Sequence, residues 1–246
     1  YNLISQYILI IGSIVALVFL AVAGNEKRAA AGLTRQNWKS AVLIVLAFVG
    51  IYIVRTVVSV AVQGVSDGSG MQYVKEWAAM FKNPMMWLNI AALPINYFFV
   101  FIAFFGEEYG WRYYLQPVLQ KRFGLRAGVI ILGVVWGLWH IPDDLFYYTQ
   151  TSGIQMIFAQ QITCISLGIF FAYAYMKTQN IWVPVCLHYL NNNLIPIISG
   201  TFSADVLENQ TVSWKDLPVA LVLNGLCFGF FLLADVFKKK EVQEEE

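Results

Sequence analysis

The chain has 246 residues, of which 59% are hydrophobic and 13% charged. An average soluble domain has about half apolar and a quarter charged residues, so this composition excludes an ordinary soluble globule. The net charge of +1 points to no acidic partner, and no Lys/Arg block is interleaved with aromatics, which argues against nucleic-acid binding.

The apolar surplus gathers into runs of roughly 20 residues, the length a helix needs to cross a bilayer core of about 30 Å. Seven such runs are predicted, at about residues 3–23, 40–62, 86–105, 127–142, 154–176, 181–199 and 217–237. The first has Ala21-Val22-Ala23 near its end, like a signal-peptide cleavage site. It lacks a basic start and its apolar run is too long, so it reads as a spanning helix. The second carries Arg55 at mid-helix. A loop over Gly64–Gly70 follows, then a short interfacial helix over Met71–Lys82 with Trp77 and Phe81 turned to lipid. The third run contains Pro94, which predicts a kink, and leads straight into Glu107 and Glu108. The fourth is short and ends at Pro142, with Asp143 and Asp144 in a solvated turn beyond. The fifth, sixth and seventh complete an all-α polytopic transmembrane bundle of about seven (seven to eight) helices with an intramembrane polar cavity. Residues 1–246 read as one transmembrane domain, with the motifs inside 86–199 and a charged tail over 238–246.

Lys and Arg counts orient the bundle. Lys27, Arg28, Arg35, Lys39, Arg112, Lys121, Arg122, Arg126, Lys177, Lys238, Lys239 and Lys240 fall on one side. Lys75, Lys82 and Lys215 fall on the other. The rich side is the cytoplasm, so the chain is expected to be a multi-pass cell-membrane protein with a cytoplasmic C-terminus. Seven spans put the N-terminus outside, and an eighth helix would move only that end. Cys164, Cys186 and Cys227 are odd in number and lack metal spacing, so they read as small buried hydrophobes. Oligomeric state is not legible.

Ionisable residues at membrane depth cost several kcal/mol each and are functional candidates for that reason. If the third helix continues, Glu108 and Arg112 are four apart on one face, and Glu107 is turned away by about 100°. Glu108 then suits an ionised partner of the arginine, and Glu107 a general base. The competing reading is a salt bridge at a helix end. His140, one turn after Trp136, and His188, four residues before Asn192, are the two histidines of the chain. An imidazole and a carboxamide on one face can donate to an oxyanion, and polar glue between helices is the alternative. For Asn191 and Asn193 the glue reading is preferred. Together these groups supply amide hydrolysis without a serine or cysteine nucleophile.

In these residues the chain resembles the CPBP family of intramembrane peptidases (CAAX protease and bacteriocin-processing enzymes, also called Abi), which includes the Ras-converting endopeptidase of eukaryotes. Glu107, Glu108 and Arg112 match its Glu-Glu-x-x-x-Arg motif. His140 matches the histidine of Phe-x-x-x-His, with Trp136 at the aromatic position, and His188 and Asn192 match His-x-x-x-Asn. The resemblance spans about residues 107–192 and implies that Glu107 and His140 activate water. It further implies that His188 and Asn192 hold the oxyanion while Glu108 and Arg112 brace the site. The family has been viewed both as metallo- and as glutamate-type enzymes. Glu107, His140 and His188 have the chemistry of a Zn²⁺ set, but there is no His-Glu-x-x-His helix, and the metal-free reading, without cofactor, is preferred. The expected substrate is a peptide or small membrane protein. A non-proteolytic scaffold or immunity protein that keeps these residues is the alternative, and a transporter ranks last.

Overall fold

The structure, a computed structural model, describes residues 36–66, 70–200 and 203–238 and a few separate positions before them. Most of the first expected span, the loop tip at 67–69 and the tail beyond Lys238 lie outside the described residues. Among the described residues all regular structure is helical. Four helices among the described residues are long and apolar enough to cross a membrane, and the chain is a helical membrane protein.

Helix α1 (Trp38–Ser66) is followed by the short α2 (Gly70–Met80). The interfacial helix is therefore present, but its aromatics face inward. Trp77 donates from Nε1 to the Ile198 carbonyl at 2.9 Å, and Phe81 packs beside Met86, Leu194 and Ile197. An indole N–H seeks an acceptor, and a nearby helix end offers one.

Helix α3 (Pro84–Glu108) opens on Asn83, whose side chain accepts from the Met85 amide, with Pro84 in the first turn. This is the expected chemistry of a helix start. It runs through Pro94 and does not stop at the paired glutamates. A π-helical stretch, Tyr109–Leu115, joins it to α4 (Gln116–Phe123), giving 40 continuous helical residues. The helix thus continues past the apolar run of 86–105, through both glutamates. π turns inside α-helices often mark functional sites, and here they follow the Glu-Glu pair directly.

Gly124, at φ +90°, reverses the chain into α5 (Leu125–Trp139). Such a φ suits glycine alone. Pro142 then sits in the first turn of α6 (Ile141–Phe146), so a new helical turn replaces the expected loop. Helix α7 (Gly153–Thr178) is the most enclosed of the long helices. It packs most extensively on α5, where Gly133 lets the backbones meet: a Cβ there would lie 2.6 Å from the Ile165 Cα.

Helix α8 (Trp182–Ser199) packs on α3, and Gly200 at φ +76° ends it. Its polar residues, His188 and Asn191 to Asn193, keep it out of the four most apolar helices. The short α9 (Ala204–Glu208) leads to α10 (Asp216–Cys227). The seventh expected span differs most from expectation. Twelve residues make about 18 Å of helix, short of a bilayer core. The chain breaks at fully buried Phe228 and continues as tight 3-10 turns over Gly229–Leu233 and Asp235–Phe237. Phe228 packs into an aromatic core with Phe48, Tyr52 and Phe170, and burying that ring in place of exposing it to lipid ends the helix.

Candidate active site

The site is built from the junctions of α3, α5 and α8. Glu108 is the last residue of α3, and the helical continuation sets Arg112 one turn further on. Arg112 Nε lies 3.2 Å from Glu108 Oε2, and neither side chain is exposed. The opposite carboxylate oxygen, Oε1, is 2.9 Å from His188 Nδ1 on α8. Glu108 thus bridges an arginine from its own helix and a histidine 80 residues away. The guanidinium is stacked 4.9 Å over the Trp136 ring and 5.3 Å over Phe171. Such cation–π contacts contribute about 0.5–2 kcal/mol each.

Trp136, at the position where the motif has phenylalanine, packs edge-on against both histidines. Its ring centroid is 5.8 Å from His140 and 5.4 Å from His188. Phe104 closes another side of His188 at 5.2 Å. Four groups are therefore gathered around one indole: Arg112, Phe171, His140 and His188.

His140 stands where α5 ends. Its backbone N–H turns to the Gly137 carbonyl at 3.1 Å, a tight turn that frees the Trp136 carbonyl. His140 Nδ1 takes that carbonyl at 2.8 Å. A carbonyl only accepts, so Nδ1 carries the proton and Nε2 keeps its lone pair. The buried Cys164 thiol is 3.8 Å from the same Nδ1. That cysteine is a small buried group as expected, whereas Cys186 and Cys227 are partly exposed.

Glu107 is partly buried. It is near enough to act electrostatically on His188, Arg112 and Cys164. Asn192 is exposed, with its Oδ1 accepting from Asn191 Nδ2 at 2.9 Å. The site therefore grades from sealed Glu108 and Arg112, through partly open Glu107 and His140, to exposed Asn192. Among the described residues no three His, Cys, Asp or Glu side chains gather into a set that could hold a metal ion. The trio Glu107, His140 and His188 does not stand as such a set.

Two groups depart from the sequence reading. Asp144 was expected in a solvated turn, yet it is fully buried. The helical turn begun by Pro142 carries it inward, four residues after His140, and its carboxylate has no hydrogen-bond partner among the described residues. Arg55, unassigned in the sequence, donates from Nε to Asn224 Oδ1 on α10 at 2.9 Å. The Arg55–Asn224 pairing was not legible, because it is set by packing between distant helices. Asn193 does act as glue: its Oδ1 accepts from Asn96 of α3 at 3.3 Å.

Fold and site together define a helical membrane protein with an ion-paired Glu-Arg-His cluster sealed inside its bundle. Over part of its length the chain is similar to a family of membrane proteases. Residues 88–194 match the family described as "Type II CAAX prenyl endopeptidase Rce1-like", and that stretch contains all six motif residues. The chain is also 27% identical over 125 residues to the "CAAX prenyl protease 2" of Methanococcus maripaludis. The match covers 47% of this chain and 45% of that protein, so the chain spans less than half the length of the curated relative it matches. No solved structure matches the chain significantly.

Proposed function

We propose that the protein is an intramembrane endopeptidase that hydrolyses a peptide bond with a water activated by Glu107 and His140. The observation that carries this reading is that the two histidines are fixed through Nδ1 in opposite ways. His140 gives its Nδ1 proton to a neutral carbonyl, which leaves Nε2 free to accept from a water. His188 gives its Nδ1 proton to a carboxylate, which favours the imidazolium and equips Nε2–H to donate. A carboxylate on the far nitrogen orients and charges the ring in the same way in the Ser-His-Asp triad.

The steps follow from those roles. Glu107 takes a proton from the water held by His140, and the hydroxide oxygen bonds to the scissile carbonyl carbon. The carbonyl oxygen becomes an oxyanion, stabilised by His188 Nε2–H and the Asn192 amide. Glu107 then passes its proton to the amide nitrogen. The C–N bond breaks, leaving a carboxylic acid and an amine. Glu108 and Arg112 hold His188 and do not touch the substrate.

The substrate class is a CAAX-type or other short peptide segment at the membrane, as the name of the archaeal relative suggests. It approaches from the cytoplasmic side, where the Lys/Arg asymmetry sets the C-terminus. A C-terminal reporter that is active only in the cytoplasm is expected to be active on this chain, and silence there would reverse the orientation.

The decisive test uses purified protein and a fluorogenic CAAX peptide, prenylated or bare. Glu107→Ala and His140→Ala are expected to abolish cleavage, at least about 1,000-fold, while folding and insertion persist. Retained activity in both variants would sink the peptidase reading. Cleavage is expected to survive a strong chelator, and its loss with recovery on adding Zn²⁺ would establish a metalloenzyme instead.

A further inference from the structure

Asn192 is exposed, and a carboxamide in contact with solvent can turn over, exchanging its donor and acceptor ends. Only one orientation serves an oxyanion. Two hydrogen bonds in series bear on that choice. The Tyr52 hydroxyl of α1 donates to Asn191 Oδ1 at 2.5 Å. Asn191 Nδ2 donates to Asn192 Oδ1 at 2.9 Å. The acceptor end of Asn192 is thereby taken, and its two N–H groups are the end left to face outward. Reversing the Asn192 amide alone would set N–H against N–H, and reversing Asn191 alone would set its oxygen against the Asn192 oxygen.

The head of this chain is rigid. Tyr52 is only 5% exposed and is wedged edge-on against Phe48 at 4.9 Å and beside Phe228 at 5.0 Å. The Arg55 guanidinium lies 5.8 Å from its ring, and Arg55 is itself held by Asn224 of α10. Hydrogen bonds in series polarise one another in the same sense, so each donor in the row sharpens the next. The row begins 139 residues away in sequence, on α1.

We infer that Tyr52 and Asn191 are positioning residues that lock the Asn192 carboxamide with its N–H groups aimed at the substrate carbonyl. This rests on the reading of Asn192 as an oxyanion donor, and the experiment separates the two. Steady-state cleavage is measured for Asn192→Ala, Tyr52→Phe, Asn191→Leu and the double variant Tyr52→Phe/Asn192→Ala. Asn192→Ala is expected to lower kcat about 100-fold, the scale of losing one oxyanion donor. Tyr52→Phe, which keeps every ring contact, is expected to lower kcat about tenfold with KM unchanged, the scale of a small misplacement. Asn191→Leu is expected to match or exceed it. In the double variant the tyrosine change adds nothing, because the group it orients is gone. A merely structural tyrosine would shift stability or KM and would act equally on both backgrounds. If Asn192→Ala cleaves normally, the oxyanion role itself fails and the inference with it. If Asn192→Ala is impaired while Tyr52→Phe and Asn191→Leu cleave normally, or if the tyrosine and Asn192 losses multiply, the positioning role alone is overturned.

Discussion

Glu108 receives Arg112 on one oxygen and His188 on the other, with none of its surface exposed. Burying charges is expensive, and a buried pair is kept stable only by the partners that remain. Glu108→Ala would leave a buried guanidinium with ring faces and the more distant charge of Glu107. It is expected to cost about 3–5 kcal/mol, read as a large drop in the unfolding temperature in detergent. Glu107→Ala, at a partly open position, is expected to leave that temperature nearly unchanged. Exchange of these two results would mean that the roles of the neighbouring carboxylates are reversed. The i,i+4 pairing of Glu108 with Arg112 was legible because helix geometry alone dictates it. The bond from Glu108 to His188 was not, since it depends on how α3 meets α8. The three asparagines make the same point: Asn191, Asn192 and Asn193 are alike in sequence, and their partners lie on α1, on a neighbouring residue and on α3.

At the scale of elements, the position of His140 depends on how closely α5 approaches α7. Gly133 sets that distance, and any Cβ there meets backbone, which cannot give way as a side chain can. Gly133→Ala is expected to destabilise the protein by about 1–3 kcal/mol and to reduce cleavage by displacing His140. Gly110→Ala, with nothing within 4 Å of the added carbon, is expected to be neutral in both assays. Equal effects at the two sites would show that the α5–α7 contact is not what fixes His140. Apolar runs placed α1, α3, α5, α7 and α8 within a few residues, since run length follows from bilayer thickness. They misplaced two boundaries. The charged pair at 107–108 looked like a helix end, but the ion pair and the π turns carry the helix through it. The run at 217–237 looked like a span, but the burial of Phe228 bends the chain back onto α7.

For the whole molecule, the continuous helix from Pro84 to Phe123 measures about 60 Å at 1.5 Å per residue, twice the hydrocarbon thickness of a bilayer. Counting from Pro84, about 20 residues exhaust the apolar layer, which brings Glu107 and Glu108 to its far edge. Glu107 is partly open there, while Glu108 is sealed by protein. The bridge at Glu108 also bears on descent. Loss of Glu108, Arg112 or His188 alone leaves a buried ion or an unsatisfied ring nitrogen, so no one of them can drift by itself. Lineages that abandon the chemistry should shed the three within few steps of one another and replace them with apolar residues, whereas Asn192, exposed at the rim, should be the first of the site residues to vary.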